Sequence, residues 1–308
     1  MTKKIIHLNA SSLKSDSACW RRWWLTVIEG YRKDGVNNDT EFGTSFHKYR
    51  STLALTGDPL QAHAAAKQSW LRANPTIKRD KQYITLPYML KACLQYDARY
   101  ARDEFVTLDH NGKKLVELKF CIPYYVDDHV EILLEGTIDD LCKNRRGCYA
   151  IRDYKCTASG DPDEFMRSYE LSTQLMFYYH AVKWYAKTYP NSIFAEFGST
   201  NFACFIDGVF MRGKDKPVEF ERSDMIFFKP ERIAEFERLL QETCKRISQL
   251  VQCGTRPDRY GIINGYCFGH FKCPFFNVCA APDERVEQFL LDRDYVQKPY
   301  EPLKIGVD

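Results

Sequence analysis

Asp139, Asp153 and Lys155 are the residues in this sequence best suited to do chemistry. They lie in EGTIDDLCKNRRGCYAIRDYKCTAS, residues 135–159. The pattern predicts two β-strands joined by a basic, Gly-containing turn. Strand side chains alternate, so Asp153 and Lys155 point to the same face. If the strands pair as a hairpin, Asp139 lies beside Asp153. Two close carboxylates repel each other and resist losing water, and a divalent cation relieves both problems. Hard oxygen donors of this kind suit Mg²⁺ or Mn²⁺. Such a cation activates water, and a neighbouring lysine stabilises charge on a phosphoryl oxygen. The chemistry implied is phosphodiester hydrolysis. The plain alternative for Asp153 and Lys155 is a surface salt bridge.

The elements that must position these groups follow from the texture of the chain. Residues 1–110 read as a helical N-terminal region, with an aromatic-rich first helix and further helices near 38–55, 59–73 and 84–106. Residues 111–252 alternate strands and helices. A long helix is predicted from Asp163 to Tyr189, strands at FAEFGSTNFACFIDGVFM and VEFERSDMIFF, and an amphipathic helix after Lys229. Residues 253–308 form a cysteine-rich extension. The order predicts an α/β fold, with helices before the core and an irregular segment after it.

The chain has 12 cysteines. Scattered ones such as Cys121, Cys142, Cys204 and Cys244 read as small core hydrophobes. Cys267, Cys273 and Cys279 are bunched in CFGHFKCPFFNVC, with His270 between the first two. Clustered thiols in a reducing compartment point to a metal, either an iron–sulfur cluster or Zn²⁺. Unligated core thiols are the remaining reading.

GTIDDL followed by IRDYK resembles the G-x-x-D and D-x-K motifs of the PD-(D/E)XK nuclease superfamily, in its RecB-type branch. EFGTSFHKY is similar to that branch's upstream histidine motif and supplies His47. STQLMFYYHAVK is similar to its downstream Q-x-x-x-Y helix motif and supplies Gln174 and Tyr178. SACWRRWW resembles its N-terminal segment and supplies Cys19. These motifs span Ser17 to Tyr178. The resemblance implies a restriction-endonuclease-like core: a mixed sheet flanked by helices. It implies that His47, Asp139, Asp153 and the Tyr154 backbone carbonyl hold the metal, and that Lys155 is catalytic. Gln174 would position the lysine or the DNA backbone, and Tyr178 would line the substrate path. Surface exposure of His47 and helix packing of Gln174 and Tyr178 are the bland alternatives. Asp140 would be a neighbour of lesser importance, with Asp140→Ala a mild change.

The resemblance extends to iron–sulfur members of the branch, the AddB-like and CRISPR-associated exonucleases, which use one N-terminal and three C-terminal cysteines. It implies a 4Fe–4S cluster on Cys19, Cys267, Cys273 and Cys279, with Zn²⁺ as the alternative. The usual C-x2-C-x5-C spacing is not met, because His270 stands at the x2 position. Cys267 and His270 thus compete for one place, and four thiolates favour Cys267.

The resemblance implies a Mg²⁺- or Mn²⁺-dependent DNA exonuclease of repair or recombination. A non-catalytic DNA-binding or scaffold subunit, or an endonuclease, are the other readings. Arg21 and Arg22, with the tryptophans of RRWW and the aromatics of FMRSYE, are expected to contact unpaired DNA. A phosphate-loop motif of the helicase kind is absent, so unwinding falls to a partner. The formal charge of +3 leaves DNA binding to local clusters, and an apolar fraction of 44% is that of a globular chain. No apolar run approaches the ~20 residues needed to cross a bilayer, and no signal peptide is evident, so a cytoplasmic protein is expected.

Overall fold

A computed structural model describes residues 3–13, 19–158, 160–214, 216–259, 267 and 273–298. His270, the rival of Cys267, lies outside the described residues. In chain order the elements are β1 (Lys4–Leu8), α1 (Trp20–Trp23, continued by a π-turn Trp24–Ile28), β2 (Tyr31–Arg32), α2 (Asn38–Thr56), α3 (Pro59–Ala73) and α4 (Leu86–Arg99). Then come β3 (Phe105–Thr107), β4 (Asp109–His110), β5 (Lys113–Lys114), β6 (Val116–Val126), β7 (Val130–Asn144) and β8 (Tyr149–Thr157). The remainder is α5 (Pro162–Arg167), α6 (Thr173–Thr188), α7 (Ala195–Ser199), β9 (Ala203–Phe210), β10 (Glu219–Arg222), α8 (Pro230–Cys253), α9 (Phe276–Cys279), α10 (Glu284–Asp294) and β11 (Val296–Gln297).

The fold is α/β, with a mixed sheet flanked by helices, as the sequence predicts. The described residues form two compact units, each discontinuous in sequence. One draws on residues 1–34, 119–136 and 231–308, the other on 35–118 and 137–230. Strand β7 contributes to both.

In the unit built on 35–118 and 137–230, β7 pairs antiparallel with β8, with Asp140 opposite Arg152. β8 pairs in parallel with β9, and β10 runs antiparallel to β9. A parallel pair needs a crossover, which α5, α6 and α7 supply. The single helix predicted over 163–189 is broken. Ser172 caps α6 by accepting from the Leu175 N–H, which starts a second helix. The first part of FAEFGST is helical rather than extended. Helices α2 and α3 meet at Gly57 and Asp58. Gly57 takes the left-handed conformation (φ 68°) that ends α2, and the Asp58 carboxylate accepts from the Leu60 and Gln61 N–H groups to start α3. Phe42, Phe46, Trp70, Met89 and Tyr96 of α2–α4 pack in one core with Tyr154 of β8 and Val209 of β9. That packing fixes α2 beside β8.

In the other unit, β1 pairs in parallel with the first half of β7, His7 opposite Leu133. β2 pairs antiparallel with β11. Gly30 precedes β2 at φ +75°, and a Cβ there would lie 2.5 Å from the Lys298 carbonyl oxygen, so only glycine fits. Among the described residues no helix is long and apolar enough to cross a membrane.

Candidate active site

Asp139, Asp153 and Lys155 converge. The β7–β8 register puts Asp139 one step beyond the Asp140–Arg152 pair and opposite Asp153. The Tyr154 backbone N–H donates to Asp139 Oδ2 at 2.8 Å. The Lys155 ammonium is ion-paired with Asp153 Oδ2. From α2, His47 Nδ1 reaches Asp139 Oδ1 at 3.2 Å. From α6, Gln174 Nε2 donates to the Tyr178 hydroxyl at 2.8 Å and lies 3.4 Å from Asp153 Oδ1. His47, Asp139, Asp153, Tyr154, Lys155, Gln174 and Tyr178 thus fall in one place. Tyr178 is itself buried, with 7% exposure. Its hydroxyl accepts from Gln174.

The electrostatics are those of closely packed, buried charges. Burial alone would lower the His47 pKa, but the Asp139 charge and hydrogen bond hold it up at about 9. An imidazole ligates a metal as the neutral ring. Asp139 is held below the usual carboxylate range: burial raises it, but His47 and Lys155 prevail. Burial pushes Asp153 up, with the Asp139 charge adding to the push and Lys155 opposing. Lys155 is held above its ordinary value, because the Asp153 and Asp139 charges outweigh its own burial. Two carboxylates and an imidazole form a donor set fitted to a hard divalent cation.

One residue of this site is not legible in the sequence. A Glu117 carboxylate oxygen lies within 4.8 Å of the His47 and Asp139 ligand atoms. Its backbone sits at φ 51° near the start of β6, a left-handed conformation that costs a glutamate of order 1–3 kcal/mol. Neither the turn nor the reach could be read from alternation in KKLVELKF. A Glu117→Asn variant keeps a residue tolerant of that conformation and removes the carboxylate. We expect its metal-free form to be more stable than wild type, by about 1 kcal/mol, and its stabilisation by added Mn²⁺ to shrink. Paired denaturant titrations with and without the ion read both effects.

The residue next to Asp139 has a different job. The Asp140 carboxylate accepts from Arg152 Nε at 2.8 Å and from the Thr107 hydroxyl at 3.1 Å. Arg152 also reaches Asp103 at 2.8 Å. Arg222 is held by Asp103 and Asp207, and the Tyr96 hydroxyl donates to Asp207 at 2.5 Å. Asp140, Arg152 and Asp207 are essentially buried. This carboxylate neutralises a buried guanidinium, so Asp140→Ala, expected to be mild for cleavage, should carry a cost in stability.

Of the expected DNA contacts at RRWW, those of Arg21 and the two tryptophans are corrected. Arg21 is buried, donating to Glu287 at 2.5 and 2.6 Å and to the Pro257 carbonyl at 2.8 Å. Trp23 and Trp24 are 0% and 6% exposed. These side chains are packing of their unit: the Arg21 partners lie more than two hundred residues away, and the Trp24 indole donates to Glu29 at 2.7 Å. Arg22 is half-buried. Of FMRSYE, Arg167 is exposed and Tyr169 half-buried. Burial pushes the Tyr169 phenol up to about 12, with the Lys155 charge opposing, so this ring lies close to the site.

Cys19, Cys267, Cys273 and Cys279 belong to one unit, and two of them, Cys267 and Cys279, are raised in pKa. Burial raises Cys267, with Cys273 and Cys19 adding to it. Burial pushes Cys279 up to about 11, Arg21 opposes, and Cys273 and Cys19 raise it further. The Cys273 N–H donates to the Cys267 carbonyl at 3.1 Å. Thiols are donors that suit an iron–sulfur cluster or zinc.

A family model for the PD-(D/E)XK nuclease superfamily matches residues 7–280. No curated protein matches the chain in sequence. Among solved structures, a protein from Eubacterium rectale provisionally named an exonuclease is similar over 87% of this chain and 90% of its own, at 11% identity and a TM-score of 0.49. The protein SSO0001 is similar over 80% and 78%, at 12% identity and a TM-score of 0.33.

Proposed function

The chain belongs to the PD-(D/E)XK nuclease superfamily, and from that premise we propose that it is a Mg²⁺- or Mn²⁺-dependent DNA exonuclease. The observation that carries this reading is the convergence of His47, Asp139, Asp153 and Lys155. A bound divalent cation would supply Lewis acidity and a more acidic water at that point. His47, Glu117, Asp139 and Asp153 would hold it. Lys155 adds a permanent positive charge where the scissile phosphate gains negative charge. Gln174, braced by Tyr178, fixes the Asp153 carboxylate. Water then adds to phosphorus as one P–O bond to deoxyribose breaks.

Supporting a DNA substrate is an open groove of about 840 Å³ between α2 and α3, lined by Lys48, Lys67 and Arg72. Lys48 is the residue after His47 on α2. Tyr169 and Arg167 offer a stacking ring and a cation on the α5 side. Unwinding would come from a helicase partner.

The test is purified protein with Mn²⁺ or Mg²⁺ on end-labelled linear and on circular single-stranded DNA. The linear strand should be degraded and the circle survive. Equal cutting of the circle makes the enzyme an endonuclease. Cleavage of neither form, with DNA still bound, makes it a binding subunit.

We propose further that Cys19, Cys267, Cys273 and Cys279 hold a 4Fe–4S cluster that joins the first helix to the C-terminal extension. The Arg21–Glu287 ion pair supports this by tying α1 to α10 beside Cys279. Anaerobically purified protein should be brown. Cys19→Ala, Cys273→Ala or Cys279→Ala should bleach it, while Cys93→Ala and Cys204→Ala keep the colour. Colourless protein with stoichiometric zinc at these thiols rules iron out.

A further inference from the structure

We propose that His7, Cys121 and Glu135 form a second metal site, distinct from the catalytic one and of the nitrogen–sulfur–oxygen kind that takes Zn²⁺. The His7 nitrogen, the Cys121 sulfur and a Glu135 oxygen all lie within 4.8 Å of one another. His7 is on β1, Glu135 on β7 and Cys121 on β6, and both β1 and β6 pair with β7. The β1–β7 register sets His7 opposite Leu133. Glu135 is two residues further along, so it shares the face of Leu133 and His7. Three neighbouring strands each contribute one donor to one spot. All three residues belong to the same compact unit.

The simpler account is an ion pair, since His7 Nδ1 lies 3.1 Å from Glu135 Oε2. That explains two of the residues and leaves the third misplaced. A carboxylate with 2% exposure beside a thiol disfavours the thiolate. A cation reverses this, because it stabilises thiolate and carboxylate together and takes the imidazole as a neutral donor. The kind of cation follows from the donors. Thiolate and imidazole are poor partners for Mg²⁺ and good ones for Zn²⁺. Three protein ligands with water in the fourth place is a known zinc geometry. The half-exposed Cys121 gives an ion its way in. Held there, zinc stitches β1 to the β6–β7 pair.

The test uses the whole chain with its four-cysteine site loaded, and Zn²⁺ or Co²⁺ as the probe. Wild type should retain one more zinc per chain than Cys121→Ala or His7→Gln, at unchanged occupancy of the other site. Co²⁺ should give a thiolate-to-cobalt charge-transfer band that both variants lose. Zinc should raise the unfolding midpoint of wild type and of neither variant. Equal zinc in all three proteins at micromolar free metal overturns the site, as does a cobalt band that survives Cys121→Ala. Should Cys121→Ala fail to fold, Cys121→Ser and His7→Gln carry the same comparison.

Discussion

Lys155→Ala should lose at least ~10²-fold in single-turnover cleavage, the cost of deleting one well-placed electrostatic group, while still binding metal and DNA. Lys155 makes its ion pair with Asp153 and is 21% exposed at the side chain. It can reach a phosphate at the rim of the site without being needed to hold the fold. Its charge counts most when the phosphoryl oxygens gain charge, so the loss should fall on turnover rather than on DNA affinity. Asp139→Ala should fail earlier in the sequence of events. It removes the carboxylate that His47 and the Tyr154 N–H engage, so Mn²⁺ binding by calorimetry should weaken along with cleavage. Both proteins should fold. The acid deletion even removes one of two buried like charges. Wild-type cleavage by Lys155→Ala would show that Asp153 and Lys155 form only a structural pair.

Alternation along a strand made half of this site legible. Asp153 and Lys155 are two apart, and the hairpin register carries Asp139 to them. The same rule separates Arg152 from Asp153, but it cannot say what lies on the Arg152 side. Asp103, Asp207 and Arg222 reach that point from other elements, and only tertiary structure brings them there. The RRWW stretch failed for a related reason. An arginine beside tryptophans looks like a nucleic-acid surface in sequence, and the Glu287 that buries Arg21 is 266 residues away. Glu117 was invisible because its contribution depends on one left-handed residue. The break before α6 left a local trace, the capping Ser172, which strong helical periodicity on both sides concealed.

Neighbouring residues of β8 should therefore respond to mutation in opposite ways. Arg152 is 3% exposed, and it sits between Asp140 and Asp103 with Asp207 3.8 Å away. Arg152→Met keeps the length of the side chain and removes the charge. Arg222 then remains, ion-paired with Asp103 and Asp207, with the Arg50 charge acting on Asp140 from further off. Asp140 would be a buried carboxylate with the Thr107 hydroxyl to hydrogen-bond it, and burial already pushes it up while Arg152 is present. Stranding one partner of a buried pair typically costs about 3–5 kcal/mol, against a total stability of roughly 5–15 kcal/mol for a folded protein. Arg152→Met should unfold at much lower denaturant than wild type. Asp140→Ala should follow the same direction to a smaller extent, because Arg152 keeps Asp103. Molecules of either variant that remain folded should cut DNA at near the wild-type rate per folded chain, since the opposite face of β8 is untouched. Asp153→Ala, one residue along, should show the reverse: a wild-type unfolding curve and almost no cleavage. Denaturant midpoints beside cleavage per folded chain make the comparison. An Arg152→Met protein within about 0.5 kcal/mol of wild type, the range of an ordinary surface substitution, would mean that this ionic cluster does not hold the β-sheet behind the site.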